Sequence, residues 1–280
     1  MLQRTDSLSS IKIFSGWAAV GLMALIFAML YLLNFLIPLE YSNYTSRIWD
    51  WTELALTAGA LVVISVRWQS IRSVPILVGA ALGFVSGISY FLNDHSLRGA
   101  VTEGVAVWLT FIAGTILFQT LKEHNVPAFQ MPFQNIIRGL GLGIVLGIPL
   151  AGINNLFFFL QNGAPQYQNI LFSMAEALSP GIHEEAVFRY FILAACFTLL
   201  QGCARPRLAL VAAMIMAVVP HSLLHLPDLF LTNPLMAIGM LVATSLLFGL
   251  PMALLQVKRS FETAVAFHWF IDFARFYFGY

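Results

Sequence analysis

Long apolar runs separated by short polar stretches set the pattern of this chain, near residues 13–37, 52–67, 74–92, 100–121, 137–160, 178–201, 207–225, 234–256 and 261–279. A helix needs about 20 apolar residues to cross a hydrocarbon core of about 30 Å, so the pattern predicts an all-α polytopic membrane protein of about nine spans. The second run is the shortest and carries Glu53 near its start. Positive charges argue for keeping it. With all nine runs counted, Arg4, Lys12, Arg67, Arg72, Lys122, Arg138, Arg205, Arg207, Lys258 and Arg259 fall on one side, against only Arg47 and Arg98 on the other. By the positive-inside rule the N-terminus is expected in the cytoplasm and the C-terminus outside. The first run is too long for a signal-peptide core and lacks a small-x-small cleavage site, so it reads as an uncleaved span.

Within the runs, Gly79, Gly83 and Gly87, and again Gly139, Gly143 and Gly147, recur at the four-residue spacing that lets helices approach closely in lipid. Neither row follows a strand or ends in Lys-Ser/Thr, which removes a nucleotide loop. Pro149 is expected to kink its helix, and Pro180-Gly181 to interrupt one just before His183. The connection Lys122–Asn135, with Pro127 and Pro132, reads as a short cytoplasmic loop, and Gln161–Gln168 as an uncharged external one. The chain is expected to divide into an N-terminal membrane scaffold over 1–170, with about five spans, and a catalytic helical core over 171–280, with about four.

Composition agrees with the pattern: 59% of the 280 residues are hydrophobic and 10% charged, far below the roughly 25% charged of a soluble domain. The net charge of +1 carries no basic excess for nucleic acid, so the partners expected are the lipid bilayer and a membrane-associated peptide or protein. Two cysteines, Cys196 and Cys203, have no CxxC spacing and read as buried thiols.

Against this background Ile182-His183-Glu184-Glu185-Ala186-Val187-Phe188-Arg189 places three charges inside an apolar run. Glu185 and Arg189 are four apart and share a helix face. Glu184 points about 100° away and is expected to lack that partner. Ionisable groups at bilayer depth cost at least ~2.5–3.5 kcal/mol each and tend to line a cavity or a site. Two later runs carry polar pairs at the same spacing, His221 with His225 and His268 with Asp272.

Glu184-Glu185-x-x-x-Arg189, a helix ending in His225 before Leu-Pro, and His268-x-x-x-Asp272 in the last span resemble the three-motif signature of the CAAX protease and bacteriocin-processing (Abi) family of intramembrane proteases, related to the type II CAAX prenyl endopeptidases. The resemblance covers roughly 178–276. It implies Glu184 as the base activating water, His225 holding that water, His268 with Asp272 stabilising the oxyanion, and Glu185 paired to Arg189 as support. Amide hydrolysis needs such a base, and it needs donors aimed where charge develops on the carbonyl oxygen.

Two positions depart from the family pattern: His221 stands where Phe is usual, and Asp272 where Asn is frequent. An ionised Asp cannot donate to an oxyanion. Asp272 is therefore protonated, or orients His268, or joins Glu184 and His225 in a metal site. His225, His268 and a carboxylate would suit zinc with one open position, with His221 as a further ligand, so both metal-free hydrolysis and a metalloendopeptidase using a divalent metal such as zinc stay open. His183-Glu184 opens like HExxH, but Val187 stands where the second histidine would be.

The leading expectation is an intramembrane endopeptidase. A catalytically silent scaffold or immunity-type protein of the same fold, or a transporter moving protons or a metal ion through the Glu/His/Asp set, are the alternatives. The charge bias puts Glu184 and His225 toward the outer half of a bacterial cytoplasmic membrane. A prenylated substrate from the cytoplasm fits that orientation poorly, so a peptide or membrane-protein segment entering from lipid is expected.

Overall fold

A computed structural model describes residues 2–39, 43–123 and 136–280, with side chains from Ser15 onward. Most of the expected loop at 122–135, with His124, Pro127 and Pro132, lies outside these residues, as do the side chains of Arg4 and Lys12. Among the described residues there is no strand. The helices are α1 (Leu2–Leu36), α2 (Tyr44–Val66), α3 (Ser73–Asp94), α4 (Leu97–Glu123), α5 (Ile136–Asn162), α6 (Ile170–Glu176) and α7 (Leu178–Glu184). After α7 come a π-helical segment, Glu185–Ile192, and α8 (Leu193–Leu200), then α9 (Pro206–Leu224), α10 (Pro227–Thr232) and α11 (Pro234–Thr244). A second π segment, Ser245–Gly249, joins α11 to α12 (Leu250–Lys258), and α13 (Phe261–Tyr277) closes the chain.

Among the described residues, seven helices are long and apolar enough to cross a membrane: Ser15–Leu36, Tyr44–Val66, Ser73–Asp94, Leu97–Glu123, Ile136–Asn162, Pro206–Leu224 and Pro234–Lys258. The other two expected spans, 178–201 and 261–279, are helical but do not meet that criterion. The first carries three charges, Glu184, Glu185 and Arg189, within one apolar window, and the second is a helix of 17 residues. Both carry the charged motifs. Their polar residues are buried against other helices rather than offered to lipid.

Glycine governs how closely two helix pairs approach. A Cβ on Gly83 would stand 2.2 Å from the Gly104 carbonyl oxygen, so α3 and α4 touch backbone to backbone, and one on Gly143 would stand 2.4 Å from the Thr263 oxygen on α13. The α5–α13 contact backs the site helix with a lipid-facing one. The core lies around the π segment: Glu185 through Leu193 are all buried, and Phe111, Phe118 and Phe261 pack on Tyr190.

Two charged groups near helix ends, Arg47 in the first turn of α2 and Asp228 in that of α10, act as clamps. Arg47, one of the two exceptions to the charge bias, donates to Asn34 Oδ1 at 2.9 Å, to the Ile37 oxygen at 2.7 Å and to the Pro38 oxygen at 3.0 Å. It thereby satisfies the carbonyls left open at the end of α1. Asp228 accepts from the Thr45 amide at 3.2 Å and its hydroxyl at 2.6 Å, a carboxylate at the positive end of α2. These contacts fix the rotation of α2, whose inner face reaches the site.

The helix break lies upstream of its expected place. It falls at Ala177, between α6 and α7, and Pro180-Gly181 run inside α7. Pro180 has no N–H to give the Glu176 carbonyl one turn back. That oxygen instead accepts from Ser89 Oγ of α3 at 3.0 Å, and the Ser179 amide donates to the same hydroxyl at 2.8 Å. Gly181 then lets α7 meet α13, since a Cβ there would be 3.0 Å from that of Trp269.

Candidate active site

Three helical stretches and the inner face of α2 converge on Glu184. Its Oε2 is hydrogen-bonded to His221 Nε2, so the expectation that Glu184 lacks a partner is corrected: the partner comes from α9, 37 residues away. Glu184 Oε1 lies 3.8 Å from His225 Nε2, a gap suited to a bridging water, and Oε2 lies 3.5 Å from His268 Nε2. His225 caps the C-terminus of α9 and is the solvent-facing member, with its side chain 46% exposed, whereas Glu184, His221, His268 and Asp272 are buried. The seven residues read from the sequence thus stand together.

Behind them lies a fully enclosed layer. Arg189 Nη1 is 3.3 Å from Glu185 Oε1, and both side chains are wholly inaccessible. The π segment begins at Glu185, and its i→i+5 bonding re-aims this turn. The same Arg189 donates through Nη2 to His221 Nδ1 at 3.0 Å. A guanidinium can only donate, so His221 accepts at Nδ1 and carries its proton on Nε2, directed at Glu184. His221 is accordingly closer to the centre than a supporting residue on the helix face would be.

His268 is held differently. Its Nδ1 is 2.9 Å from Glu185 Oε1 and its Nε2 is 3.2 Å from Asp272 Oδ2. Both ring nitrogens face carboxylates, so both donate and the ring is cationic. Asp272 Oδ1 in turn lies 3.5 Å from Arg275 Nη2. Of the three options for Asp272, this geometry is that of an ionised partner of His268.

The donor set can be tested against a metal. Among the described residues, Glu184, His221 and His225 are the group whose ligand atoms converge, all within 4.8 Å. His221 does not fit as a ligand there, because the Arg189 contact places its proton on the nitrogen that would bind. His268 offers no lone pair either, with both nitrogens turned to carboxylates. Glu184 and His225 alone fall short of the three protein ligands of a catalytic zinc site. The residues do not suit a zinc centre.

Trp49, on α2, roofs the site: its ring centroid lies 5.8 Å from that of His183, 5.9 Å from His221 and 5.3 Å from His225. One turn along, Glu53 and, from α4, Glu103 line the same cavity as Glu184, a space of about 1470 Å³. The cavity reaches from Asn43 and Ser96 in the connections at one end of the bundle, from Asn93 in the last turn of α3 and from Phe276 near the C-terminus, down to Glu184. None of Trp49, Glu53, Glu103 or His183 was expected at the site. Glu53 and Glu103 could have been found by the criterion that selects Glu184, since each is a lone acid inside an apolar run.

A family model, type II CAAX prenyl endopeptidase Rce1-like, matches residues 166–274. That stretch holds every one of the seven residues and agrees with the resemblance read from the motifs. No curated protein and no solved structure matches the chain. The apolar helices make this an integral, multi-pass membrane protein, and its residues 166–274 are similar to the type II CAAX prenyl endopeptidases.

Proposed function

We propose that the chain is an intramembrane endopeptidase that hydrolyses a peptide bond with a water activated by Glu184, without a metal. The observation that carries this reading is the division of labour at Glu184. Oε2 is committed to His221, while Oε1 faces His225 across 3.8 Å. A water in that gap is within reach of a carboxylate oxygen that takes its proton and of an imidazole nitrogen that orients it.

The hydroxide adds to the carbonyl carbon, and the electron pair of the C=O bond moves to oxygen. The N–H of His268 directed toward Asp272 and Glu184 is the cationic donor nearest that charge, and a donor of this kind lowers the barrier by about 3–4 kcal/mol. Collapse of the tetrahedral species breaks the C–N bond, and Glu184 returns its proton to the departing nitrogen. Arg189 serves as a positioning residue that holds His221 in one tautomer and neutralises Glu185. Glu185 and Asp272 keep His268 charged and fixed.

The substrate is a membrane-associated peptide or protein that enters the cavity from the end bearing the α1–α2 and α3–α4 connections. By the charge bias this end faces outward in a bacterial cytoplasmic membrane. Residues 1–170 act chiefly as scaffold and 171–280 as the catalytic part, with α2 and α4 adding the cavity wall. Quantitative proteomics of protein termini tests the proposal, in cells carrying the intact chain and cells carrying Glu184→Gln at equal abundance. Termini lost only in the variant are expected; identical profiles overturn the reading.

A further inference from the structure

The cavity wall that adjoins Glu184 carries a charge pattern that water activation does not use. At its mouth the charges are mixed: Asp50 and Asp94 stand with Arg98, all exposed. Its depth is different. The deep lining groups are Glu53, Glu103 and Glu184, at 9%, 4% and 7% exposure, and the nearest basic group among them is His183. Arg275 also lines the cavity, but it is bound to Asp272.

The two additional acids are not equivalent. Glu103 is held in place by hydroxyls: Ser86 donates to Oε1, and Ser179 Oγ lies 2.8 Å from Oε1 and 3.0 Å from Oε2. His183 Nδ1 is 3.9 Å from its Oε2. Glu53 has no such support. Its Oε1 is enclosed and has no hydrogen-bond partner, and the same is true of His183 Nε2 beside it. A buried carboxylate oxygen with no donor is costly in protein and more so at membrane depth, so a site that keeps one gains from a guest that supplies the donor.

A metal ion is a poor guest here, because these carboxylates do not converge as the ligand atoms around Glu184 do. A long side chain that brings several N–H donors on a flexible stem suits separated acceptors better. Resting on the endopeptidase reading, we propose that Glu53 and Glu103 form a subsite for a lysine or arginine side chain of the substrate, next to the peptide bond presented to Glu184. Trp49, one helical turn from Glu53, forms the apolar wall against which the stem of that side chain lies.

The test separates binding from cleavage. Purified Glu184→Gln protein in lipid nanodiscs is offered a library of hydrophobic peptides in which one position is lysine, arginine, norleucine or glutamine, and the retained peptides are counted by mass spectrometry. Lysine and arginine peptides should be retained about tenfold or more over their norleucine counterparts, the size of one charge-assisted hydrogen bond. Adding Glu53→Gln should abolish the preference, and Glu53→Asp should restore part of it. Equal retention of lysine and norleucine peptides by the Glu184→Gln protein, which needs no Glu53 variant, overturns the proposal. The same library is then exposed to the protein with Glu184 intact. Selective retention with no cleavage anywhere would leave the cationic subsite standing and remove the endopeptidase reading, whereas cleavage without charge preference would do the reverse.

Discussion

Arg189 offers the sharpest test of how the site is held, because it is wholly buried and bridges two helices. Replacing it by methionine keeps the stem and removes the charge. Glu185, also wholly buried, then loses its guanidinium, and breaking a buried pair by removing one partner costs about 3–5 kcal/mol. Glu185 retains His268 Nδ1 at 2.9 Å, so the lower end applies, about 3 kcal/mol or roughly a hundredfold in the folding equilibrium. Removing both charges should cost less than removing one, since the orphaned carboxylate is gone. The glutamine of Glu185→Gln can still accept from His268. Arg189→Met, Glu185→Gln and the double variant are compared by denaturant titration in mixed micelles, with tryptophan fluorescence as the signal. The expected order is wild type, then the double variant, then Arg189→Met as the least stable. An Arg189→Met protein as stable as wild type, or a double variant that loses the sum of the single effects, would refute the reasoning.

Further outcomes follow from the same geometry. Glu184→Gln and His225→Ala should each lower cleavage about 100-fold or more with folding retained, read as initial rates on a substrate identified by its new terminus. His268→Gln should lower the turnover number rather than raise KM, by about 100-fold. Prolonged treatment with a zinc chelator should leave the rate unchanged, and elemental analysis of the purified protein should find no stoichiometric metal. Gly83→Ala, whose Cβ meets backbone at 2.2 Å, should destabilise by about 1–3 kcal/mol. Gly141→Ala, with nothing within 4 Å, should be neutral or gain up to about 1 kcal/mol from helix propensity, as melting temperatures would show.

Glu184, the Glu185–Arg189 pair and the His268–Asp272 pair were legible because each is set by spacing within one helix in a background that excludes charge. The part played by His221 was not. Its importance arises from Arg189 and Glu184 on another helix, and spacing within α9 says only that it shares a face with His225. Trp49 was missed for a related reason, since apolar periodicity places a residue on a face without saying which helix that face meets, whereas Glu53 and Glu103 carried the same lone-acid signal as Glu184. The two π segments leave no periodic trace, which is why the run 178–201 reads as a span with no interruption beyond Pro180-Gly181. Pro180 signals a break correctly, but the broken bond is the one to Glu176, so the interruption appears three residues before the proline. Arg47 counts against a charge rule when taken as a loop residue. In the fold it is a clamp on the end of α1.

The central claim is that Glu184 turns a water into the nucleophile for peptide hydrolysis, and one measurement addresses it most directly. Purified protein in lipid nanodiscs is mixed in 18O-labelled water with a peptide spanning a terminus that depends on it in cells, and the fragments are weighed after a single turnover. The account predicts two fragments, with one labelled oxygen in the new carboxylate, and none from Glu184→Gln. Equal cleavage by the Glu184→Gln protein, or fragments without the label, would contradict it.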